Sequence, residues 1–384
     1  MKLAFQLAYK NLMGAGLRTW LNAAILSFAF VMILFFNGLI DGWNLQAKRD
    51  GVMWEYGNGQ LLMEKYDPYD PFTLQDGHGI IPASISKEVT PILLVQGSIY
   101  PEGRMLSITL KGIDVNQSII EIPTEALKKS NTEMPALIGK RMAKAAKLEV
   151  GDQVLLRWRD QHGTYDALNI TIVNIFDTDV GTVDNGQIWM PIETLWQMTG
   201  LKNEATILIA HTEKSYSEDG WVYKSKKELL SVLTDIIETK KTSGAIMYLL
   251  LLFIALLAIF DTQVLSIFRR QKEIGTYIAL GMTRWQVVGL FTVEGSMYSF
   301  FAMIVGCVYG IPLLLFVAYT GIGMPAATGD MGITVAERIY PVYGFTLIMG
   351  TLLLVIISAT VVSFLPARNI SKMNPVLAIK GKVQ

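Results

Sequence analysis

Residues 245–268 read AIMYLLLLFIALLAIFDTQVLSIF, and the basic pair Arg269-Arg270 follows at once. A helix of this length, rising about 1.5 Å per residue, covers the roughly 30 Å hydrocarbon core of a bilayer. Three other runs are as long and as apolar, at residues 20–40, 287–319 and 342–365. The sequence therefore predicts four transmembrane helices, with Pro312 as a point where the third helix kinks or ends.

The composition agrees with a membrane protein and excludes several other classes. Of 384 residues, 51% are apolar and 17% charged, and the formal net charge is zero. Because the net charge is zero, the chain has no overall positive field that would attract nucleic acid. The single cysteine, Cys307, excludes an internal disulfide. The first apolar run is longer than the core of a cleaved signal and lacks a small-x-small site, so we expect a retained helix.

Basic residues predict the orientation of the helices. They cluster before the first span, between the second and third, and after the fourth: Lys2, Lys10, Arg18, Arg269, Arg270, Lys272, Arg284, Arg368, Lys372, Lys380 and Lys382. The positive-inside rule therefore places both termini in the cytoplasm and segment 43–244 outside it. The expected segments are an amphipathic N-terminal helix (1–19), helix 1 (20–42), an extracytoplasmic domain (43–244), helix 2 (245–268), a cytoplasmic connection (269–286), helix 3 (287–319), an extracytoplasmic loop (320–341), helix 4 (342–365) and a cytoplasmic tail (366–384).

The 43–244 segment has an ordinary soluble composition and mixes two periodicities. Residues 106–110, 154–158 and 168–175 are β-rich or alternate with a period of two, which predicts strands. Residues 130–148 are typical of a turn and a helix, and 225–239 of an amphipathic stalk helix that leads into the second span. The predicted fold class is four transmembrane α-helices with a large α+β extracytoplasmic domain inserted between helices 1 and 2.

The connection after the second span carries a family resemblance. It contains Arg269-Arg270, then Lys272-Glu273-Ile274-Gly275 and Ala279-Leu280-Gly281. Further matching positions lie along the membrane part: Ala8-Tyr9-Lys10-Asn11-Leu12, Leu17-Arg18, Glu294-Gly295, Gly306, Gly310, Pro366-Ala367-Arg368, Met373-Asn374-Pro375-Val376 and Ala378-Ile379. The chain resembles the FtsX-like permeases, which include the MacB-type macrolide exporters and the lipoprotein-releasing (LolC/LolE-type) permeases. Segments 112–114, 137–140 and 148–154 are similar to landmarks of the MacB-like periplasmic core domain.

The resemblance implies a permease subunit of an ABC transporter in the bacterial inner membrane, with no enzymatic activity and no cofactor of its own. ATP would be bound by a separate ABC ATPase subunit, and a second permease copy or a paralogue would complete the membrane part. The expected coupling residues lie in the connection: Arg269, Arg270, Lys272, Glu273, Ile274, Gly275, Leu280 and Gly281. Ile274, Ile278 and Leu280 are expected to anchor this helix in a groove of the partner. From the residues alone, a helix whose basic side chains touch lipid headgroups remains an alternative.

The resemblance also suggests a cargo. Within the family, the outer landmarks look closer to the lipoprotein-releasing permeases, which implies lipoprotein or other lipidic cargo, a periplasmic carrier and mechanotransmission to the outer domain. Leu39, Trp43, Phe260 and Asp261 are the candidate residues of a substrate entrance. Export of macrolides or peptides is one alternative. A scaffold that activates a periplasmic cell-wall hydrolase is another.

A search for catalytic chemistry finds no site. The chain has no Gly-x-x-x-x-Gly-Lys-Ser/Thr loop, and its histidines at 78, 162 and 211 form no metal-binding pattern, so no metal site is expected. Glu294 is expected to lie at the membrane interface. Three interpretations of Asp261 remain open: it faces a partner helix, it is close enough to the interface to stay hydrated, or it lines a transport path. Trp43, Trp54 and Tyr56 are read as an interfacial aromatic belt, with a substrate path as the alternative.

Overall fold

The protein is described here by a computed structural model that covers residues 14, 16–323 and 338–373. These residues form two compact units. The membrane unit comprises the described parts of Met1–Gly42, Ile237–Ile322 and Tyr340–Gln384, and the α+β unit those of Trp43–Ile236 and Gly323–Ile339. Most of the predicted N-terminal helix, most of the 320–341 loop and the tail beyond 373 lie outside the described residues.

Ten α-helices are described: α1 (Leu17–Gly51), α2 (Glu125–Lys129), α3 (Lys140–Ala146), α4 (Gly181–Asp184), α5 (Ile192–Thr199), α6 (Lys226–Leu229), α7 (Ser231–Arg269), α8 (Gln271–Ala279), α9 (Arg284–Thr320) and α10 (Phe345–Ala367). Four of them, α1, α7, α9 and α10, are long and apolar enough to cross a membrane, with mean hydropathy of 2.4 to 2.6 over their most apolar stretch. The α+β unit separates α1 from α7 in the sequence. The predicted fold class, four membrane helices with an α+β domain between the first two, is therefore confirmed, and the side of the membrane on which that domain lies stays a prediction.

The helices of the membrane unit pack through apolar and small side chains. A buried cluster joins all four long helices, with Leu26 and Ile33 from α1, Ile259 from α7, Ala302 from α9 and Val355 from α10. Small residues permit this close packing. They are common between membrane helices, because lipid tails are as apolar as the side chains and association depends on close contact instead. The packing also contains one buried polar contact between α1 and α7, because Asn22 donates a 2.7 Å hydrogen bond to the hydroxyl of Thr262.

Two glycines of α9 set its distance from α1. A Cβ at Gly306 would lie 3.2 Å from the ring of Phe30, and one at Gly310 would lie 2.7 Å from Val31 Cγ2. The Gly-x-x-x-Gly spacing therefore brings the two helices together. Pro312 does not end the helix, because α9 continues past it to Thr320; the expected kink stays a prediction. A proline is tolerated in a membrane helix when neighbouring groups satisfy the freed carbonyl.

The segment before α10 also packs closely on α1. The Val342 N–H donates a 2.9 Å hydrogen bond to the carbonyl oxygen of Gly38. A Cβ at Gly42, one turn further along α1, would lie 2.1 Å from the carbonyl oxygen of Tyr340. This pair of glycines therefore holds the entry to α10 against α1.

Eleven strands belong to the α+β unit: β1 (Gly59–Met63), β2 (Gly79–Ile80), β3 (Val89–Ile99), β4 (Leu106–Ile113), β5 (Pro135–Gly139), β6 (Gln153–Arg159), β7 (Tyr165–Phe176), β8 (Gln187–Pro191), β9 (Glu204–Ala205), β10 (Ile207–Ala210) and β11 (Trp221–Ser225). Two more two-residue strands, β12 (Ile322–Gly323) and β13 (Arg338–Ile339), flank the undescribed part of the 320–341 segment. The main sheet has nine strands in the order β11-β1-β10-β3-β4-β8-β5-β7-β6.

Six of these strands close on themselves. Besides its pairing with β4, the end of β3 pairs with β6, where Gly97 faces Trp158 and Ile99 faces Leu156. The ring β3-β4-β8-β5-β7-β6 is therefore a small barrel with two parallel pairs, β4–β8 and β5–β7. Its interior is apolar and includes Trp158, whose full burial stabilises the fold by about 2–3 kcal/mol. Closure removes the edges that an open sheet would expose.

The strand predictions are confirmed where the alternation is clear. Residues 106–110, 154–158 and 168–175 lie in β4, β6 and β7, and β6 alternates strictly between exposed and buried positions. The interpretation of 130–148 was wrong in part, since strand β5 precedes the short helix α3. All five residues of β5 are buried, so its sequence shows no alternation.

A buried carboxylate caps α3 from a distant part of the chain. The Asp184 side chain is 1% exposed, and it accepts hydrogen bonds from the backbone N–H groups of Arg141 at 3.0 Å and Met142 at 3.4 Å. The N-cap residue itself, Gly139, has no side chain to do so. A negative group at the start of a helix also complements its dipole. Asp184 therefore fixes α3 on the barrel.

Candidate coupling site

The connection between α7 and α9 is built around a break at Arg270. Its backbone, with φ of −103° and ψ of 19°, leaves the helical region, so α7 ends at Arg269 and the nine-residue α8 begins at Gln271. The chain then turns at Gly281, whose φ of 99° is strained for any residue with a Cβ. Thr283 caps α9 in a reciprocal capping box with Gln286.

The Arg270 side chain joins the connection to α9. Its Nη1 donates to both carboxylate oxygens of Glu294, at 2.8 and 2.9 Å, and its Nε donates to Glu273 at 2.7 Å. The guanidinium also lies 4.8 Å from the ring centroid of Phe291. Burial alone would lower the pKa of Arg270, but the two carboxylates raise it above its ordinary value, so the group is a permanent cation.

The Glu294 side chain is enclosed by its own chain. Its side chain is 7% exposed, against 17% for Arg270 and 54% for Glu273. The interfacial position expected for Glu294 stays a prediction, and the structure adds that Glu294 is buried within the chain and paired with a cation. A carboxylate in this position is stable only when a charge and hydrogen bonds compensate it, which Arg270 supplies.

An apolar cluster holds the inner face of α8. Ile274 is fully buried and packs with Ile267 of α7, Val287 and Phe291 of α9, and Ala367 at the end of α10. Gly275 is also buried. The expectation that Ile274 anchors the helix in a partner's groove was wrong, because the side chain is occupied within its own chain. A movement of α8 would therefore displace the ends of three long helices together.

The opposite face of the connection is exposed. It carries charged and large apolar side chains, namely Arg269, Lys272, Glu273, Leu280 and Trp285. Leu280 is 78% and Trp285 61% exposed, and both are large apolar residues on a surface rimmed by charge. This combination is typical of a protein docking surface. The predicted coupling residues therefore form two sets. The buried set contacts α9, and the exposed set is accessible to a partner.

The four residues of the predicted substrate entrance do not form one cluster. Ile40, beside Leu39 on α1, lies at the level of Gly244 on α7, where a Cβ would be 3.7 Å from its side chain. Asp261 is seventeen residues further along α7, or about 26 Å by helical rise. Phe260 is half-buried beside it. Trp43 follows Leu39 by one turn on α1, so these two share one face of that helix and only Phe260 and Asp261 lie apart from them.

Within the described residues, no group of His, Cys, Asp and Glu could hold a metal ion. His78 lies 2.5 Å from Glu204, and His211 lies 3.0 Å from the hydroxyl of Thr90. These are ordinary hydrogen bonds within the α+β unit. Trp54, read as part of an aromatic belt, instead stacks on Phe176 at 5.7 Å in that unit.

The pair Arg270–Glu294 is the feature that sequence reasoning missed. A signal was present: an acid inside an apolar run requires a partner, and the basic pair 24 residues earlier was within reach once the chain turned back. Spacing alone did not show which of the two arginines would bind. The break in the helix after Arg269 decides this, because it turns Arg270 inward and leaves Arg269 exposed.

Comparisons with known proteins find a match in the membrane part of the chain. Residues 245–375 match the family described as FtsX-like permease C-terminal. An uncharacterized ABC transporter permease of Methanocaldococcus jannaschii is 24% identical over 170 residues, which cover 44% of this chain. The match spans only 40% of that relative's length.

Among solved structures, the extracellular domain of the noncanonic ABC-type transporter YknZ from Gram-positive bacteria aligns with 41% of this chain and 83% of its own. The identity is 14% and the TM-score 0.23, which is too low to support a shared fold. The clearest likeness is therefore in the membrane segment that contains α8, α9 and α10, which is similar to FtsX-like permeases.

Proposed function

We propose that the chain is the permease subunit of an ABC transporter, in which a separate ATPase subunit docks on the exposed face of α8. ATP binding and hydrolysis would take place in that subunit. In this proposal the chain is not an enzyme. It lies in the cytoplasmic membrane with α8 and both termini on the cytoplasmic side, as the basic residues around the spans favour.

The observation that carries the proposal is the two-sided construction of α8. Its inner face is fixed by Ile274 and by the Arg270–Glu294 pair, whereas Lys272, Glu273 and Leu280 face outward. A helix that only rested on lipid headgroups would not need a buried, charge-paired link to α9. A helix that transmits a movement from a partner would need this link, because a rigid link moves the long helices together with α8.

We further propose that the movement acts on lipidic cargo, with lipoproteins and a periplasmic carrier as the expected partners. Both α1 and α7 continue as unbroken helices past the boundary between the two units, at Gly42 and at Ile237. An unbroken helix transmits a displacement along its axis. Mechanical transmission to the α+β unit would follow, with extraction of cargo from the membrane as its effect.

The partners can be identified by affinity purification of the full chain from native membranes in mild detergent, followed by mass spectrometry. An ATPase subunit with a lipoprotein or a carrier supports the proposal. An ATPase with a cell-wall hydrolase would replace cargo release by a scaffold role, and a known export partner would favour macrolide or peptide export. Recovery without any ATPase would refute the assignment.

The docking face can be tested by Glu273→Lys in the assembled complex. The substitution reverses a charge on the exposed face and removes a ligand of Arg270, so we expect ATP hydrolysis to continue while transport falls at least tenfold. Glu238→Lys is the matched control, because it makes the same charge change at an exposed position on α7. Normal transport by the Glu273→Lys complex would rule out α8 as the coupling helix.

A further inference from the structure

Gln263, on the buried face of α7, lacks a hydrogen bond that its burial calls for. The residue is 1% exposed, and within the described residues no donor reaches its amide oxygen, Oε1. Its neighbour Thr262 differs, because the Thr262 hydroxyl accepts a 2.7 Å bond from Asn22 of α1. A buried polar atom without a partner raises the free energy of the arrangement that contains it. The helix packing described here is therefore unfavourable at Gln263.

The Gln263 side chain meets α9 and α10 at a glycine. A Cβ added to Gly295 of α9 would lie 2.8 Å from Gln263 Nε2, and closer still to the Oγ of Ser363 on α10. The two polar side chains therefore converge on the same point of the α9 backbone, where any residue larger than glycine would separate them. We call Gln263, Gly295 and Ser363 the polar junction.

The Ser363 hydroxyl can leave its present acceptor without leaving a group unpaired. Ser363 is fully buried, and its Oγ donates a 2.7 Å bond to the carbonyl oxygen of Ala359, one turn earlier on α10. That carbonyl also accepts the regular helical bond from the backbone N–H of Ser363. If the hydroxyl turned toward Gln263, it would supply the donor that Oε1 lacks, and Ala359 would keep its backbone bond.

The polar junction lies beside the link between α8 and α9. Gln263 precedes Arg270 by seven residues, which is about two helical turns, so both residues lie on the side of α7 that meets α9. Gly295 directly follows Glu294, and Glu294 binds Arg270. A displacement of α8 that moves Glu294 therefore also moves Gly295 relative to Gln263.

We propose that the polar junction is a two-state switch of the membrane unit. In the arrangement described here, Gln263 Oε1 is unpaired and the Ser363 hydroxyl bonds its own helix. In the second arrangement, a small shift of α9 lets that hydroxyl donate to Gln263 across Gly295. The new bond exists in the second arrangement alone, so it favours that arrangement by about threefold to tenfold. The inference rests on the proposed function, because nucleotide binding in the ATPase subunit supplies the movement of α8.

Thermal unfolding of the assembled complex, with and without a non-hydrolysable ATP analogue, tests the switch. Gln263→Met keeps the length of the side chain and removes the amide. Without nucleotide it should raise the unfolding midpoint by at least 2 °C, because an apolar group replaces an unpaired polar one. With the analogue bound it should lower the midpoint by at least 2 °C, because the bond to Ser363 is lost. A merely structural residue would shift both midpoints in the same direction.

Ser363→Ala tests the other side of the same bond. Without nucleotide it should shift the midpoint by less than 2 °C, because the hydroxyl bonds only its own helix in that state. With the analogue it should lower the midpoint by at least 2 °C, and the double variant should lose no more than Ser363→Ala alone. Thr360→Val is the matched control, since the Thr360 hydroxyl also donates to a carbonyl four residues earlier on α10. It should shift both midpoints by less than 2 °C.

A lower nucleotide-free midpoint for Gln263→Met would overturn the proposal, because it would show that the amide is already paired. Shifts of the same sign in the two nucleotide states would also overturn it, as would losses that add in the double variant. If the analogue shifts the midpoint of the unaltered complex while these tests fail, the proposed function stands and only the switch is refuted. If no ATPase copurifies with the chain, the proposed function fails and the switch fails with it.

Discussion

Removal of Arg270 tests the link between α8 and α9 most directly. Arg270→Met keeps the length and apolar stem of the side chain but deletes the cation that binds Glu294. The Glu294 carboxylate, 7% exposed, would lose both hydrogen bonds at 2.8 and 2.9 Å and the positive charge of Arg270. Deleting one partner of a buried pair typically costs 3–5 kcal/mol. Because Arg270 itself is 17% exposed and water can reach it, we expect about 3 kcal/mol.

The partner substitution should cost less, which makes the pair testable by a double-mutant cycle. Glu294→Gln keeps one acceptor for Arg270, and Glu273 still compensates the cation, so we expect about 1 kcal/mol. With both changes no buried charge remains unpaired, since Glu273 is half exposed to water, and the loss should be about 1–2 kcal/mol. The single losses would then exceed the double loss by about 2–3 kcal/mol, which is the coupling between the two side chains.

Thermal unfolding of the purified protein in detergent measures these differences. For a unit of this size each kcal/mol shifts the midpoint by about 2–4 °C, so Arg270→Met should lower it by about 6–12 °C. Arg269→Met is the matched control, because its side chain is exposed and makes no contact of this kind within the described residues, and it should shift the midpoint by less than 2 °C. The reasoning fails if the two methionine variants unfold alike, or if the two losses in the cycle simply add.

Two further predictions concern the packing within each unit. Gly42→Ala should destabilise the membrane unit by about 1–3 kcal/mol, since the new Cβ would lie 2.1 Å from the Tyr340 carbonyl oxygen. Gly244→Ala is the control and should not destabilise the unit, because its Cβ would lie at an ordinary 3.7 Å from the Ile40 side chain. Equal thermal midpoints for the two alanine variants would contradict this. Asp184→Ala should destabilise the α+β unit by about 1–3 kcal/mol and speed hydrogen exchange at the start of α3, because two backbone N–H groups lose their acceptor. Asp177→Ala, which removes only an exposed ion pair, should change stability by less than about 0.5 kcal/mol, and faster exchange in that variant alone would refute the capping role.

Features that depend on local pattern were predictable. The four spans follow from the length of their apolar runs, and β6 and β7 follow from alternation along one face. Local signals failed at β5, where every residue is buried and the alternation disappears.

By itself the sequence determined the number and order of the membrane helices, the insertion of an α+β unit after the first, and the amphipathic character of the connection after α7. These properties follow from the hydrophobicity and periodicity of neighbouring residues, which the chain cannot change by folding. Only the tertiary structure decided that Arg270 rather than Arg269 binds Glu294, that β3 and β6 close a barrel, and that Asp261 faces outward while Glu294 is enclosed. Each of these depends on contacts between residues far apart in the chain, and on which side of a helix the packing buries. These contacts form only when the helices and strands pack against one another.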